Sequence, residues 1–234
     1  MSDLWSWPTQ GDELEAMQAA LAAAADAAPP WTWSDTARDL AVAAVFAAFP
    51  RGEGGPGRAG QPVVAAAVLW QGGRVLRRSV VRGESGGPYV AGYLALRCGA
   101  PLEAAYRGLE RRPDVLLVDA TGRDHPRRAG LALHLGARLD LPSVGVTNRA
   151  LLAAYDEPAD ARGASSPLLV DGALVGYAVR TRPGARPVLA HAGWQTSPEQ
   201  ARDLVLALSR RWRTPLPLRA ARTLARTARA SAPA

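Results

Sequence analysis

Residues 113–148 constrain the fold more than any other stretch, because they set a short apolar run, a small-residue turn, a helical stretch and a second apolar run in that order. Val115, Leu116, Leu117 and Val118 are consecutive and apolar, bounded by Pro113 on one side and by Asp119, Ala120, Thr121 and Gly122 on the other. Such a run reads as a strand covered on both faces. It leaves Asp119 at the strand's carboxyl end. Pro126 can open a helix, since the first helical position needs no N–H, and a helix is expected over 126–139. Residues 141–146 supply the second strand, and the spacing between the two is that of a parallel crossover. A carboxylate at the carboxyl end of such a strand occupies the usual site position of an open α/β sheet.

The rest of the chain supplies layers for that unit. Residues 13–28 are alanine-rich, with Leu14, Met17 and Leu21 at helical spacing and Pro29-Pro30 beyond, which predicts a packing helix. Trp31 and Trp33 follow; tryptophans beside a helix end more often cover a core than stack on nucleobases. Residues 41–49, closely bounded by Pro50, are too short for a stable helix of their own. The glycine-rich connection over 51–61 has neither the lysine nor the following helix of a phosphate-binding loop. Residues 63–70 and 74–81 form a hairpin about Gln71-Gly72-Gly73. A short helix is expected over 102–111, a helical turn over 150–155 and a polar loop over 156–165. Residues 167–170 and 173–180 form a hairpin about Asp171-Gly172. Ser197-Pro198-Glu199 predicts a capped helix start carrying Leu204, Leu206 and Leu208. In the last helix Arg219, Arg222, Arg226 and Arg229 share a stripe, commonly a solvated face and alternatively a phosphate-binding one.

Several of these words resemble the endonuclease V family. Val118-Asp119-Ala120-Thr121-Gly122, His125-Pro126-Arg127, His134-Leu135-Gly136 and Leu141-Pro142-Ser143-Val144-Gly145-Val146 are similar, in order and spacing, to that family's Val-Asp-Gly-His-Gly, His-Pro-Arg, His-Leu-Gly and Ile-Pro-Thr-Ile-Gly-Val. The resemblance covers about 41–222. It implies an α/β fold with a ribonuclease-H-like mixed central sheet, an antiparallel three-strand meander plus parallel strands, flanked by helices. It also implies Mg²⁺-dependent cleavage of strands carrying hypoxanthine. Pro88-Tyr89-Val90-Ala91-Gly92 is similar to the family's Pro-Tyr-Ile-Pro-Gly wedge, in which a tyrosine fills the gap left by an extruded base. On the same resemblance Gly92, Leu94, Ala120, Gly122 and Gly130 belong to the base pocket, and Pro88, Tyr89, Val90, His125 and Arg127 to the nucleic-acid surface.

The resemblance also marks what has changed. Of three metal carboxylates it retains Asp119, while Phe46 and Cys98 stand at the other two positions; Asn148 replaces a lysine and Trp194 a histidine. Magnesium needs hard oxygen ligands, which phenylalanine and a thiol do not offer. Asp124, Glu84 and Asp140 are the candidates for rescue, and none is expected to be placed for it: Asp124 past the turn and towards solvent, Glu84 in a glycine-rich loop, Asp140 at the far end of the helix. No cofactor is therefore expected, Mg²⁺ being the one an active copy would need. The leading expectation is a degenerate endonuclease V that binds DNA or RNA, inosine-containing strands among them, without metal-dependent cleavage. The alternatives are an active nuclease with a rearranged metal site, and an interaction module using the old cleft lined by Phe46, Cys98 and Trp194.

Composition bounds the remainder. With 234 residues, 48% of them hydrophobic, the chain can bury one sizeable core. It is expected to divide into a helical extension (1–35), the endonuclease V-like domain (36–216) and an arginine-rich helix and tail (217–234). The formal charge of +7 is carried entirely by 28 arginines. A polyanion partner is one reading, and biased coding is another, since lysine and isoleucine are absent. The lone Cys98 excludes an internal disulfide. No stretch is apolar enough to span a membrane, and Asp3, Glu13 and Glu15 sit where a signal peptide is basic, so a soluble cytoplasmic monomer without membrane contact is expected.

Overall fold

The computed structural model describes residues 5–33, 39–50 and 55–231. Asp3 and the first part of the 51–61 connection lie outside them. Within them thirteen elements follow in order: α1 (Gly11–Ala27), β1 (Val42–Ala48), β2 (Pro62–Gln71), β3 (Arg74–Glu84), α2 (Leu94–Arg107), β4 (Val115–Val118), α3 (Leu131–Leu139), β5 (Ser143–Thr147), β6 (Ser165–Val170), β7 (Ala173–Val179), β8 (Val188–Ala192), α4 (Pro198–Ser209) and α5 (Leu216–Ala230). These strands form one mixed sheet in the order β3-β2-β1-β4-β5-β8-β7-β6. β1, β2 and β3 are the antiparallel meander, and β1, β4 and β5 run parallel. This is the ribonuclease-H-like arrangement.

Alternation along the central strands feeds two cores. Ala43, Val45, Leu116 and Val118 face α2 and α3, with Leu14 of α1 beyond. Val42, Ala44, Val115 and Leu117 face α4 and α5 on the other side. β4 is buried on both faces and carries no polar residue until it ends, and Asp119 is the first one after it. The hairpin between β6 and β7 turns on Asp171 (φ 50°) and Gly172 (φ 77°), the left-handed pair that a two-residue hairpin needs. Trp31 and Trp33 pack on the second core, edge to face with ring centres 5.1 Å apart, and serve as cover.

Four local expectations fail, three of them for a common reason. α3 begins at Leu131 rather than at Pro126, because residues 123–130 make a turn with Arg128 at φ 55° and with the Gly130 N–H donating to the Gly122 carbonyl. The segment 150–155 is not helical; the N–H groups of Leu151, Leu152 and Ala153 donate to the Asp124 carboxylate, and Ala154 pairs with Leu169. Residues 94–107 are one helix running through Pro101, so the helix expected from 102 starts earlier. A proline frees the carbonyl four residues before it; here that is Arg97, and the Gly86 N–H donates to it at 3.1 Å. In each of these cases backbone groups find partners outside the helical pattern, which local spacing alone does not show. Glu84 closes β3 and is not part of a loop.

Candidate functional site

Two cavities, of about 410 and 440 Å³, open at the carboxyl ends of β1, β4 and β5 and share Tyr89, Leu94, Asp119 and Leu131 as lining. Asp119 stands where they meet. Its side chain is only a quarter exposed, and burial pushes its pKa above the usual carboxylate value, opposed chiefly by the charge of Arg222. Arg222 comes from α5, and its Nη2 lies 3.4 Å from both carboxylate oxygens. The Arg222 and Arg226 guanidinium groups also sit over the Phe46 ring, 5.3 and 5.6 Å from its centre. The arginine stripe is thus not simply a solvated face: Arg222 is the cation of the site.

Phe46 and Cys98 both line the first cavity with Asp119. Cys98 is buried, and loss of hydration, helped by the nearby Asp119 charge, pushes its thiol up to about 12. It is therefore a neutral thiol that donates to the Leu94 carbonyl at 3.5 Å.

These groups do not fit Mg²⁺, which needs several hard oxygen ligands in near-octahedral array. Asp119 already has a guanidinium against both oxygens, Phe46 offers no donor and the Cys98 thiol is soft and protonated. No group of three or more His, Cys, Asp or Glu side chains among the described residues is placed to hold a metal. Asp124 is not solvent-directed, contrary to its place in the sequence just past the turn. It is fully buried, and its oxygens accept three backbone N–H bonds of 2.8 to 2.9 Å, which removes it from the site by giving it another task. Asp140 caps α3 at its far end.

The second cavity collects most of the residues expected to meet a base. Val90, Gly92, Leu94, Ala120, His125 and Asn148 line it with Tyr89. Gly92 adopts φ 86°, reserved in practice for glycine, and turns its carbonyl inward. Gln18 of α1 donates to that carbonyl at 3.0 Å, and His125 Nε2 lies 2.9 Å from it. Burial holds His125 below the usual histidine range, so it is neutral. The loop of residues 88–92 is therefore fastened at its base while Tyr89, 56% exposed, and the adjacent exposed Pro88 project from it. Asn148 accepts from Arg213 Nη1 at 2.6 Å.

The other expected residues are not brought to the cavities. Gly122 and Gly130 serve close packing: a Cβ on Gly122 would lie 1.9 Å from the Ala192 carbonyl oxygen, and one on Gly130 2.5 Å from that of Thr121. Arg127 turns away from the cleft towards α1, donating to Gln18 Oε1 at 2.7 Å with Glu15 at 3.2 Å. Trp194 lines neither cavity; it packs with Leu21, Ala25, Ala129 and Leu133, so the cleft is not lined by it as expected. His191 is a buried structural residue, 2.8 Å from Thr147 Oγ1. Gln18 is a site residue that sequence reasoning misses, and Arg222 is visible in the sequence only as a member of the arginine stripe, without its pairing to Asp119. Their partners lie 74 and 103 positions away, and no local pattern announces such pairs.

Comparison with known proteins adds to this geometry. The sequence pattern of the family described as Endonuclease V matches residues 36–223. An Endonuclease V of Roseiflexus castenholzii is 43% identical over 152 residues, covering 65% of this chain and 68% of that protein. Among solved structures, an Endonuclease V of Streptomyces avermitilis superimposes with a TM-score of 0.80 at 32% identity, covering 97% of both chains. The Endonuclease V of Ciona intestinalis, crystallised with a 24mer DNA containing an inosine followed by a ribo-adenosine, superimposes with a TM-score of 0.75, covering 94% of this chain and 97% of that one. At 19% identity that last likeness is one of fold.

Proposed function

Since the chain belongs to the endonuclease V family, we propose that it binds inosine-containing nucleic acid in the Asp119 cleft and has lost metal-dependent phosphodiester cleavage. The observation that carries this reading is the Arg222 guanidinium, 3.4 Å from both oxygens of Asp119, with Phe46 and Cys98 at the positions where the family resemblance puts the other two carboxylates. A metal ion supplies several kcal/mol of charge stabilisation in such a reaction, and each 1.4 kcal/mol is about tenfold in rate. A guanidinium fixed on the remaining carboxylate can hold a phosphate by charge and hydrogen bonds, but it cannot lower the pKa of a water for attack.

Binding itself needs none of the lost groups. The second cavity, walled by small side chains at Gly92 and Ala120, takes the extruded base, and Tyr89 fills the gap in the stack. Arg222 and Arg226 face the strand's phosphates.

An assay on inosine-containing single-stranded and duplex oligonucleotides, with and without Mg²⁺ or Mn²⁺, tests both halves. Retained binding without nicking is expected, together with a melting temperature indifferent to Mg²⁺, because a ligand of the native state must raise it. Nicking one bond beyond the 3′ neighbour of the lesion that Asp119→Asn abolishes would establish a working metal site and overturn the proposal.

A further inference from the structure

On the face of the sheet that α5 covers, a second groove of about 490 Å³ runs between that helix and the edge strand β3. Trp70 and Trp212 wall it at one end, Arg78 and Arg219 flank it, and among the described residues no acidic side chain lines it. Trp212 is 42% exposed, too much for a core residue of that size, and the Arg219 guanidinium lies above it, 4.2 Å from the ring centre. The Arg78 side chain makes no hydrogen bond, ion pair or ring contact among the described residues. Arg82 points to the same face four residues along β3, where its Nη2 donates to the Ala228 carbonyl of α5 at 2.7 Å and fixes the groove's far wall. Exposed Arg211 adjoins Trp212 in the chain.

Like charges gathered without counterions repel, and an exposed tryptophan costs hydration, so both need a partner that is anionic and flat at once. A nucleic-acid single strand has both properties, phosphates for the arginines and base faces for the indole rings. A duplex hides its base faces, and an acidic peptide offers charge without stacking. We propose that the groove between α5 and β3 is a second nucleic-acid surface, taking a single strand without regard to hypoxanthine. Arg222 does not line this groove and turns to Asp119 instead, and no lining residue is shared with the two Asp119 cavities, so this surface is distinct from that cleft and does not depend on how the cleft is read.

The test is binding of an oligothymidylate of about a dozen residues, a length suited to a single-strand groove, to the full chain by tryptophan quenching over a range of salt. Trp212→Ala should weaken it about tenfold and Trp212→Phe should restore most of the loss. Arg78→Glu combined with Arg219→Glu should also flatten the dependence of log affinity on log salt by about 1.4, the value for two single-strand phosphate contacts. Tyr89→Ala should leave oligothymidylate binding unchanged while weakening binding of an inosine strand. Unaltered affinity in both groove variants would overturn the proposal, and so would equal competition by polyglutamate that Trp212→Ala does not affect. Arg78→Glu alone, on an exposed strand edge, keeps the test decisive should Trp212→Ala fail to fold.

Discussion

Asp119 is a carboxylate caught between two influences of opposite sign. Burial disfavours its charge and Arg222 favours it, and burial wins, since the pKa lies above 3.8. The folded state therefore takes up this proton at a higher pH than the unfolded chain does. The stability gained appears as pH falls through the raised folded value and is complete below the unfolded one, near 3.8. Near pH 7, Asp119→Asn is expected to be neutral or stabilising by up to about 1 kcal/mol, read from denaturant midpoints. Arg222→Gln removes the main opposing influence, so it should raise the Asp119 pKa further; a carboxyl-carbon NMR titration that shows it falling would refute the assignment of Arg222 as counterion. The place of Asp119 is legible in the sequence because strand end and polar residue coincide locally. Arg222 is legible only as one member of a stripe, because its pairing depends on where α5 docks. Asp124 misleads for the same reason: its three N–H donors come from a segment 27 to 29 residues further on.

α5 reaches the site because the surfaces beneath it are small. Ala221 and Ala225 are fully buried, and Ala225 meets Ala48 and Ala66 of β1 and β2. Alanine against alanine lets the helix axis approach the sheet closely, and that approach brings Arg222 to Asp119. Ala225→Leu should overpack this contact at a cost of about 1–3 kcal/mol in the denaturant midpoint. It should also separate the ion pair, so the Asp119 titration should move in the direction expected for Arg222→Gln; a destabilised variant with an unmoved titration would disconnect the helix's position from the site. Elements whose signal is local are legible at this scale. The β6–β7 hairpin is declared by Asp171-Gly172, and α4 by the Ser197 cap, whose Oγ accepts from the Gln200 N–H at 3.2 Å. Where the backbone finds its partner far away, as at 123–130 and 150–155, apolar spacing alone points to the wrong element.

Across the whole molecule the layers are joined through buried histidines that the fold keeps neutral. His134 of α3 lies against Trp7 with ring centres 4.4 Å apart, and His191 of β8 sits between Thr147 and Asp124; neither Nδ1 has a hydrogen-bond partner among the described residues. Burial, the leading cause for each, lowers both values from 6.5 to about 4. With a depressed folded value, the unfolded chain binds these protons first. Their contribution to stability is full above about 6.5 and is lost as pH falls towards 4. A tenfold change in proton affinity between folded and unfolded chain is worth about 1.4 kcal/mol, so the pair outweighs an ordinary surface group and should dominate the acid limb of the stability curve. Asp119, whose value is raised by burial, acts in the opposite sense. Replacing both histidines by glutamine should lower stability at neutral pH but flatten the dependence between pH 6.5 and 4, the unfolded and folded titration points of the two rings. Denaturant midpoints collected across that interval decide it: a double variant whose midpoint still falls as steeply as the wild type's would show that the acid sensitivity arises elsewhere.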